Sequence, residues 1–105
     1  MKYIAKTDFS EYEVSLIVSK YYDDENTALS LWSDKVGPVA MLTVNLEDLE
    51  DEFAYIDTNN CPWAEALLTQ NGLGEPTGEI RRSGYCVYPK YKLNLEAIKE
   101  GLEDD

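Results

Sequence analysis

Alternation of apolar and polar residues predicts antiparallel strands along the first half of the chain. Residues 2–7 alternate weakly and favour a short first strand. Residues 11–22, 27–33 and 39–45 alternate more clearly, which is typical of half-buried strands. On the longest of these, the apolar side chains of one face are Tyr12, Val14, Leu16 and Val18. Charged turns and a Gly-Pro turn separate the segments, so we expect a β-meander that begins with a hairpin between 11–22 and 27–33.

The pattern is ambiguous over residues 46–52. Leu46 and Leu49 lie three positions apart among carboxylates, which fits one amphipathic helical turn with Asn45 as its N-cap. A solvated edge segment is the alternative interpretation. Residues 53–57 alternate again and predict a short strand.

A helix is predicted over residues 62–71. Pro62 fits the first helical position, where a missing N–H costs nothing, and Cys61 or Asn60 is then the cap. The apolar face is formed by Trp63, Ala66 and Leu67. Gly72 is placed to take a left-handed conformation that brings Leu73 back onto Leu68, as in a Schellman motif.

The last part of the chain predicts one strand and one helix. Residues 74–78 are expected to form a loop, and residues 85–89 a strand that ends or lies at an edge because of Pro89. Residues 91–93 continue it after a bend. Asn94 caps a helix whose apolar face is Leu95, Ile98 and Leu102, before an acidic tail at 103–105. The expected fold is α+β over one domain, 1–105: an antiparallel sheet of four to five strands with two helices on one face.

Composition adds an electrostatic character. The chain has 21 acidic and nine basic residues, a formal net charge of −12. That charge disfavours direct nucleic-acid binding and anionic membranes, and it suits a basic protein partner. No apolar run approaches the length of a transmembrane helix, and the N-terminal residues lack the apolar core of a signal peptide. Together with only two cysteines, these features predict a cytoplasmic protein with reduced thiols.

Several chemistries are excluded by residue type. The chain has no histidine, which removes Ser–His and Cys–His catalysis and imidazole metal sites. Cys61 and Cys86 form no CxxC pair, and no glycine-rich phosphate loop of known pattern occurs. The carboxylates of residues 47–57 lack the spacing of a calcium loop. We therefore predict no cofactor, no metal and no catalytic residue.

The two cysteines are expected to be buried. Cys61 stands at the predicted helix start, where a thiol pKa can be lowered, so an enzyme that uses Cys61 or a carboxylate is one alternative. The other interpretation is that Cys61 is a small buried side chain or a cap. Cys86, between Tyr85 and Val87 in a strand, is predicted to lie in the core.

The candidate interaction residues are a polar run, several aromatics and a basic pair. The polar run before the helix is longer than one cap requires, and the arginines are the only adjacent basic pair. Aromatic, amide and guanidinium groups are typical of recognition surfaces, whereas aromatics that close a small core over a helix are the alternative. The residues in question are Asp57, Thr58, Asn59, Asn60, Trp63, Arg81, Arg82, Tyr85 and Tyr88.

Four sequence strings are long and unusual: LTVNL at 42–46, YIDTNNCPWAE at 55–65, NGLGEPTG at 71–78 and SGYCVYP at 83–89. With them the chain resembles a family of small acidic proteins of unknown function, encoded on conjugative and other mobile elements of gut bacteria. The resemblance implies a bacterial, cytoplasmic setting and brings no activity. It raises the hypothesis that the carboxylates mimic DNA and block DNA-binding sites of host defence proteins.

The sequence thus favours a non-enzymatic module that binds a protein partner, with a basic partner and a DNA mimic as its narrower forms. One alternative is the small enzyme described above. The other is a structural or regulatory subunit whose aromatic surface forms a homodimer.

Overall fold

The computed structural model describes residues 3–6, 11–21, 26–46 and 49–103. Over these residues the chain forms strands and helices in the following order: β1 (Tyr3–Lys6), β2 (Glu11–Lys20), β3 (Thr27–Ser33), β4 (Gly37–Met41), β5 (Thr43–Val44), β6 (Phe53–Ile56), α1 (Ala64–Gln70), β7 (Gly74–Ser83), β8 (Cys86–Leu93) and α2 (Leu95–Glu103).

The first sheet is the meander that alternation predicts. Its strands lie in the order β1-β2-β3-β4, and each pair is antiparallel. Val14 and Leu16 of β2 are buried and Val18 is half-buried. Ile17, which lies on the opposite face, is exposed. The hydrophobic face of β2 was therefore assigned correctly, because burial on one face imposes a period of two.

A second antiparallel sheet has the order β5-β6-β8-β7. The α+β class is confirmed, with the strands divided between two four-stranded sheets. Helix α1 contacts β1 and β7, and α2 contacts β2. The buried side chains of both sheets and both helices belong to one apolar cluster.

The single strand predicted over residues 39–45 is wrong, because the chain changes sheets at Leu42. Leu42 is fully buried; its N–H donates to the carbonyl of Leu29 at 2.8 Å, and its carbonyl accepts from the N–H of Asp57 at 2.8 Å. Leu42 thus bonds β3 on one side and the end of β6 on the other. We call residues 41–43, which join β4 to β5, the junction.

Polar side chains stabilise the junction from the side of β3. The Thr43 hydroxyl accepts a hydrogen bond from the N–H of Leu29 at 3.2 Å and shares another with the Tyr21 hydroxyl at 2.9 Å. Nearby, the buried Asn26 donates to the side chain of Asn45 and accepts from the N–H of Leu49. Each of these buried groups has a partner, as the low dielectric of a core requires.

Asn45 therefore bonds Asn26 and does not cap a helix. Residues 45–46 and 49–50 have no regular structure, and residues 51–52 form a turn. The helical turn considered for 46–52 is absent from these residues, while residues 47–48 lie outside the described part of the chain.

Helix α1 begins later than predicted and ends as predicted. It starts at Ala64, not at Pro62, and its N-cap Trp63 makes no side-chain capping bond. At its end, the N–H of Leu73 donates to Leu68 O at 2.8 Å and that of Gly72 to Thr69 O at 3.3 Å, with Gly72 at φ 68°. These two bonds define a Schellman motif and confirm the predicted glycine stop.

The cap of α2 is also confirmed. The side-chain oxygen of Asn94 accepts from the N–H of Ala97 at 3.2 Å, and Ile98 is buried on the apolar face.

Strand β7 replaces the loop predicted at 74–78. It is an edge strand, so Pro76 needs no hydrogen-bond donor on its outer side. The register with β8 shifts between Pro76 and Ile80, and Gly78 takes φ 91° within this irregularity. Glycine and proline mark a β-bulge here instead of a loop, because both fit a bulged edge.

The prediction that Pro89 ends a strand is wrong, whereas the alternative that it lies at an edge is confirmed, because no residue of β6 pairs with it. Strand β8 runs through it to Leu93 and lies between β6 and β7. The last pair between β6 and β8 is Tyr55 with Lys90, so Pro89 lies one position beyond the paired residues. No residue of β6 therefore needs a backbone N–H from Pro89. This position explains how the central strand tolerates a proline.

We predict that Gly72→Ala lowers the free energy of unfolding by about 1 kcal/mol, because a Cβ is disfavoured at positive φ. No atom lies within 4 Å of the added Cβ, so the cost is conformational. Gly72→Asn should cost less, since asparagine tolerates the left-handed region. Urea unfolding of both variants measures the difference, and equal stability of Gly72→Ala and the wild type would contradict the placement.

We predict that Thr43→Val destabilises the protein by about 1–3 kcal/mol, because it leaves the buried N–H of Leu29 without its acceptor. Thr69→Val is the matched control. Its hydroxyl bonds Glu65 O on the exposed side of α1, so water replaces the lost bond. A thermal unfolding series that ranks the two variants equally would show that the junction bond is not needed.

Candidate functional site

The polar run at 57–60 is a closed turn. The carboxylate of Asp57 accepts from the backbone N–H of Asn60 at 3.2 Å and from its side-chain amide at 2.9 Å. The carbonyl of Asp57 accepts from the N–H of Cys61 at 2.8 Å. The run exceeds one helix cap in length because it forms this turn before the helix starts.

Two open grooves lie on either side of Trp63. The first has a volume of about 610 Å³ and lies between β4 and residues 57–63. The second, of about 700 Å³, lies between β1 and α1. Trp63 lines both grooves, so they form one continuous region, which we call the Trp63 surface.

Exposed apolar side chains lie beside polar groups on the Trp63 surface. Val36 is 60% exposed and Met41 47% exposed in the first groove, and Ile4 is 51% exposed in the second. Asp57 lines the first groove and Glu11 the second. Apolar patches bordered by polar groups are typical of protein-binding sites on soluble domains.

Cys61 anchors this surface to the fold. It is 3% exposed, and its thiol donates to the carbonyl of Met41 at 3.7 Å. Burial, and then the negative charge of Asp57, raise the pKa of the Cys61 thiol. The lowered pKa considered for a helix start is wrong, because α1 begins three residues later, and the interpretation as a small buried side chain is confirmed.

The second group of predicted residues lies on the β7–β8 hairpin. We call residues 80–89 the arm. Arg81 is paired with Tyr88 across the arm, Arg82 is paired with Val87, and Tyr85 at the tip is fully exposed. Gly84, at φ 62°, supplies the positive φ that a tight hairpin turn requires.

The arm begins beside the Trp63 surface. Tyr55 of β6 and Lys90 of β8 form the last pair of these antiparallel strands. Asp57 follows Tyr55 by two residues and Tyr88 precedes Lys90 by two, so the strand direction brings Asp57 near Tyr88. A hydrogen bond with Cys86, then burial and the charges of Cys86 and Asp57, raise the pKa of the Tyr88 hydroxyl. The structure thus brings Asp57 and Tyr88 together, as their common assignment to one site requires.

Cys86 is not in the core, contrary to prediction. It is half-buried. Alternation along β8 places it on the face opposite to the buried Tyr91 and Leu93, so it shares a face with Tyr88.

Burial divides the aromatic residues of this region into two groups, and the recognition role of the exposed group stays a prediction. Tyr55 and Tyr91 are buried, and Tyr91 donates to the carboxylate of Glu65 at 2.9 Å. Trp63 and Tyr88 are half-buried, and Tyr85 is exposed. Burial, followed by Glu65, raises the pKa of Tyr91.

Sequence reasoning missed Ile4, Val36 and Met41. Each is an exposed apolar side chain in a strand or a turn. Apolar residues at positions expected to face solvent were the signal in the sequence that could have indicated a binding surface. They lie far from residues 57–63 in the sequence, so their proximity to Trp63 depends on the sheet topology.

Within the described ranges, no group of three or more cysteine or carboxylate side chains is arranged to hold a metal ion. No helix in the same part of the chain is long and apolar enough to cross a membrane.

A protein-family model described as "Domain of unknown function (DUF4313)" matches residues 15–105. The chain belongs to the DUF4313 family. Comparison with curated proteins and with solved structures gives no match. The resemblance to a family of unknown function is thus confirmed, while a mobile-element origin for this DUF4313 chain stays a hypothesis.

We predict that the Cys61 thiol reacts slowly with iodoacetamide near neutral pH, because burial protects it and its raised pKa disfavours the thiolate. The Cys86→Ser variant isolates Cys61 for this measurement, and Cys61→Ser isolates the half-buried Cys86 as the control. Labelling is followed by mass spectrometry with and without urea. Rapid labelling of Cys61 in the folded protein would contradict this assignment.

Proposed function

We propose that this DUF4313 chain is a non-enzymatic protein-interaction module whose Trp63 surface binds an apolar segment of a basic protein partner. The observation that carries the proposal is the position of Trp63 in the wall of two adjoining grooves. Tryptophan is enriched among binding hot spots, which cluster near the centre of an interface.

The chemistry of the region supports binding over catalysis. Val36 and Met41 present apolar area that water covers in the isolated chain, and a partner segment would remove that area from water. The thiol nearest to the groove, Cys61, is buried and bonded to Met41 O with a raised pKa. Neither property suits a nucleophile.

Charge supports a basic partner. Asp57 and Glu11 line the grooves, and the chain as a whole has a formal net charge of −12. A basic partner would be attracted over several ångströms, which accelerates association and makes it dependent on salt.

A narrower form of the proposal is that the partner is a DNA-binding protein of the host and that the acidic surface substitutes for DNA. The net charge and the resemblance to mobile-element proteins support this form. It predicts that DNA competes with the protein for the partner.

We predict that a partner captured from bacterial lysate by the wild-type protein is lost with Trp63→Ala and with Val36→Glu. Val36 is 60% exposed in a turn, so its substitution tests the surface without changing the core. Ile17→Ala is the control, since Ile17 is 37% exposed on β2 and lines neither groove.

Affinity capture in low and high salt, with quantitative mass spectrometry, measures the result. We expect a protein that Ile17→Ala retains, that both surface variants lose, and that salt releases. Identical sets of captured proteins for all four forms would refute the proposal.

A further inference from the structure

We propose that the partner segment of the Trp63 surface is the arm of a second copy of this chain, and that two copies exchange arms around a two-fold axis. The inference rests on the proposed function, because it uses the same surface and names its occupant.

The arm projects beyond the rest of its sheet. Strand β6 makes its last pair with β8 at Lys90, so residues 80–89 have only each other as strand neighbours within the described structure. Four residue pairs and the turn extend the arm by about 15 Å. Tyr85 is fully exposed at the tip.

One face of the arm combines apolar side chains with Arg82, which is paired with Val87. Ile80 is paired with Pro89, and Val87 lies on the same face of the strand as Pro89 and the buried Tyr91. Ile80 is nevertheless 67% exposed and Val87 39% exposed, because the arm extends past the elements that cover Tyr91. The apolar side chains of this face match the exposed Ile4, Val36 and Met41 of the Trp63 surface.

Charge is divided between the arm and the remainder of the chain. Residues 80–89 contain Arg81 and Arg82 and no carboxylate, so they have a formal charge of +2 and the remainder has −14. The grooves are lined by Asp57 and Glu11. The arm is therefore the segment of this chain that best fits the basic, apolar partner of the Trp63 surface.

The position of the arm favours a closed dimer. Asp57 lines the first groove and lies near Tyr88, which is close to the base of the arm. A two-fold interface uses the same patch on both copies, so arm and groove have to be neighbours on one molecule. Their adjacency allows two reciprocal contacts in place of an open chain of copies.

Edge-to-edge pairing of β7 is the main alternative for a homodimer, and the strand is poorly suited to it. Pro76 lacks a donor, the bulge that contains Gly78 interrupts the edge, and Arg81 and Arg82 place like charges along it. These are the features by which edge strands avoid pairing.

The test combines two variants with intact cores. An arm variant, Ile80→Glu with Arg82→Glu, places carboxylates against the acidic grooves. The groove variant is Val36→Glu, and Ile17→Ala is the control. We expect sedimentation equilibrium of the purified chain to show a dimer, and each of the two variants to weaken self-association about tenfold or more.

Mixing the two variants tests the exchange. Each alone lacks both arm–groove contacts, whereas a mixed dimer regains one contact between the intact arm and the intact groove. Differently tagged variants should therefore copurify more strongly than either variant copurifies with itself. A monomeric wild type, an arm variant that dimerises normally, or a mixture without this gain would overturn the inference.

Failure of this inference is distinguishable from failure of the proposed function. If the purified chain is monomeric while Val36→Glu still loses a partner from lysate, the Trp63 surface binds another protein and only the arm exchange is refuted. If Val36→Glu changes neither self-association nor capture, both are refuted.

Discussion

The hydrogen bonds of the junction are the constraint on which the rest of the structure depends. Leu42 bonds Leu29 through its N–H and Asp57 through its carbonyl, and the carbonyl of the preceding Met41 accepts the thiol of Cys61. A strand that continued straight through Leu42 would remain in the first sheet. Because it turns there, the two sheets meet, and the segment that contains Trp63 is fixed against β4.

The same bonds explain why a site forms at this point. Asp57 and Cys61 are attached to the junction, so the residues that follow them are positioned by β4 before α1 begins. Trp63 therefore occupies the ridge between β4 and β1 and does not lie inside a helix that starts at Pro62. Two anchored backbone segments on either side of an aromatic side chain give a surface that would need little reordering to bind the proposed partner.

Local interactions were predictable from the sequence, and those between distant residues were not. The alternation around Val14, the Asn94 cap and the Gly72 stop each depend on residues within a few positions, and all three were predicted correctly. The start of α1 was misplaced because Cys61 bonds Met41, twenty positions earlier, and the bond has no counterpart in helix-capping patterns.

The strand break at Leu42 was missed for a similar reason. The alternation of apolar Leu42 with polar Thr43 is the same whether these residues belong to one sheet or to two. Only the hydrogen-bond partners of Leu42, which are Leu29 and Asp57, distinguish the two cases. The candidate site, too, was predictable where it depends on neighbouring residues and not where it depends on distant ones. The run from Asp57 to Trp63 was located by its composition, whereas Val36 joins it through sheet topology alone.

One edge strand of each sheet, β4 and β7, bears on the proposed recognition of a partner. Strand β7 is protected by Pro76 and its bulge, and β4 by Pro38 and by the residues that the Cys61 thiol fixes beside it. Backbone pairing with another chain is therefore opposed at both places. The apolar groups left in water are side chains, on the Trp63 surface and on one face of the arm. The proposed recognition would thus rely on side-chain packing and charge at these places, which favours a partner of complementary shape over one that merely supplies a strand.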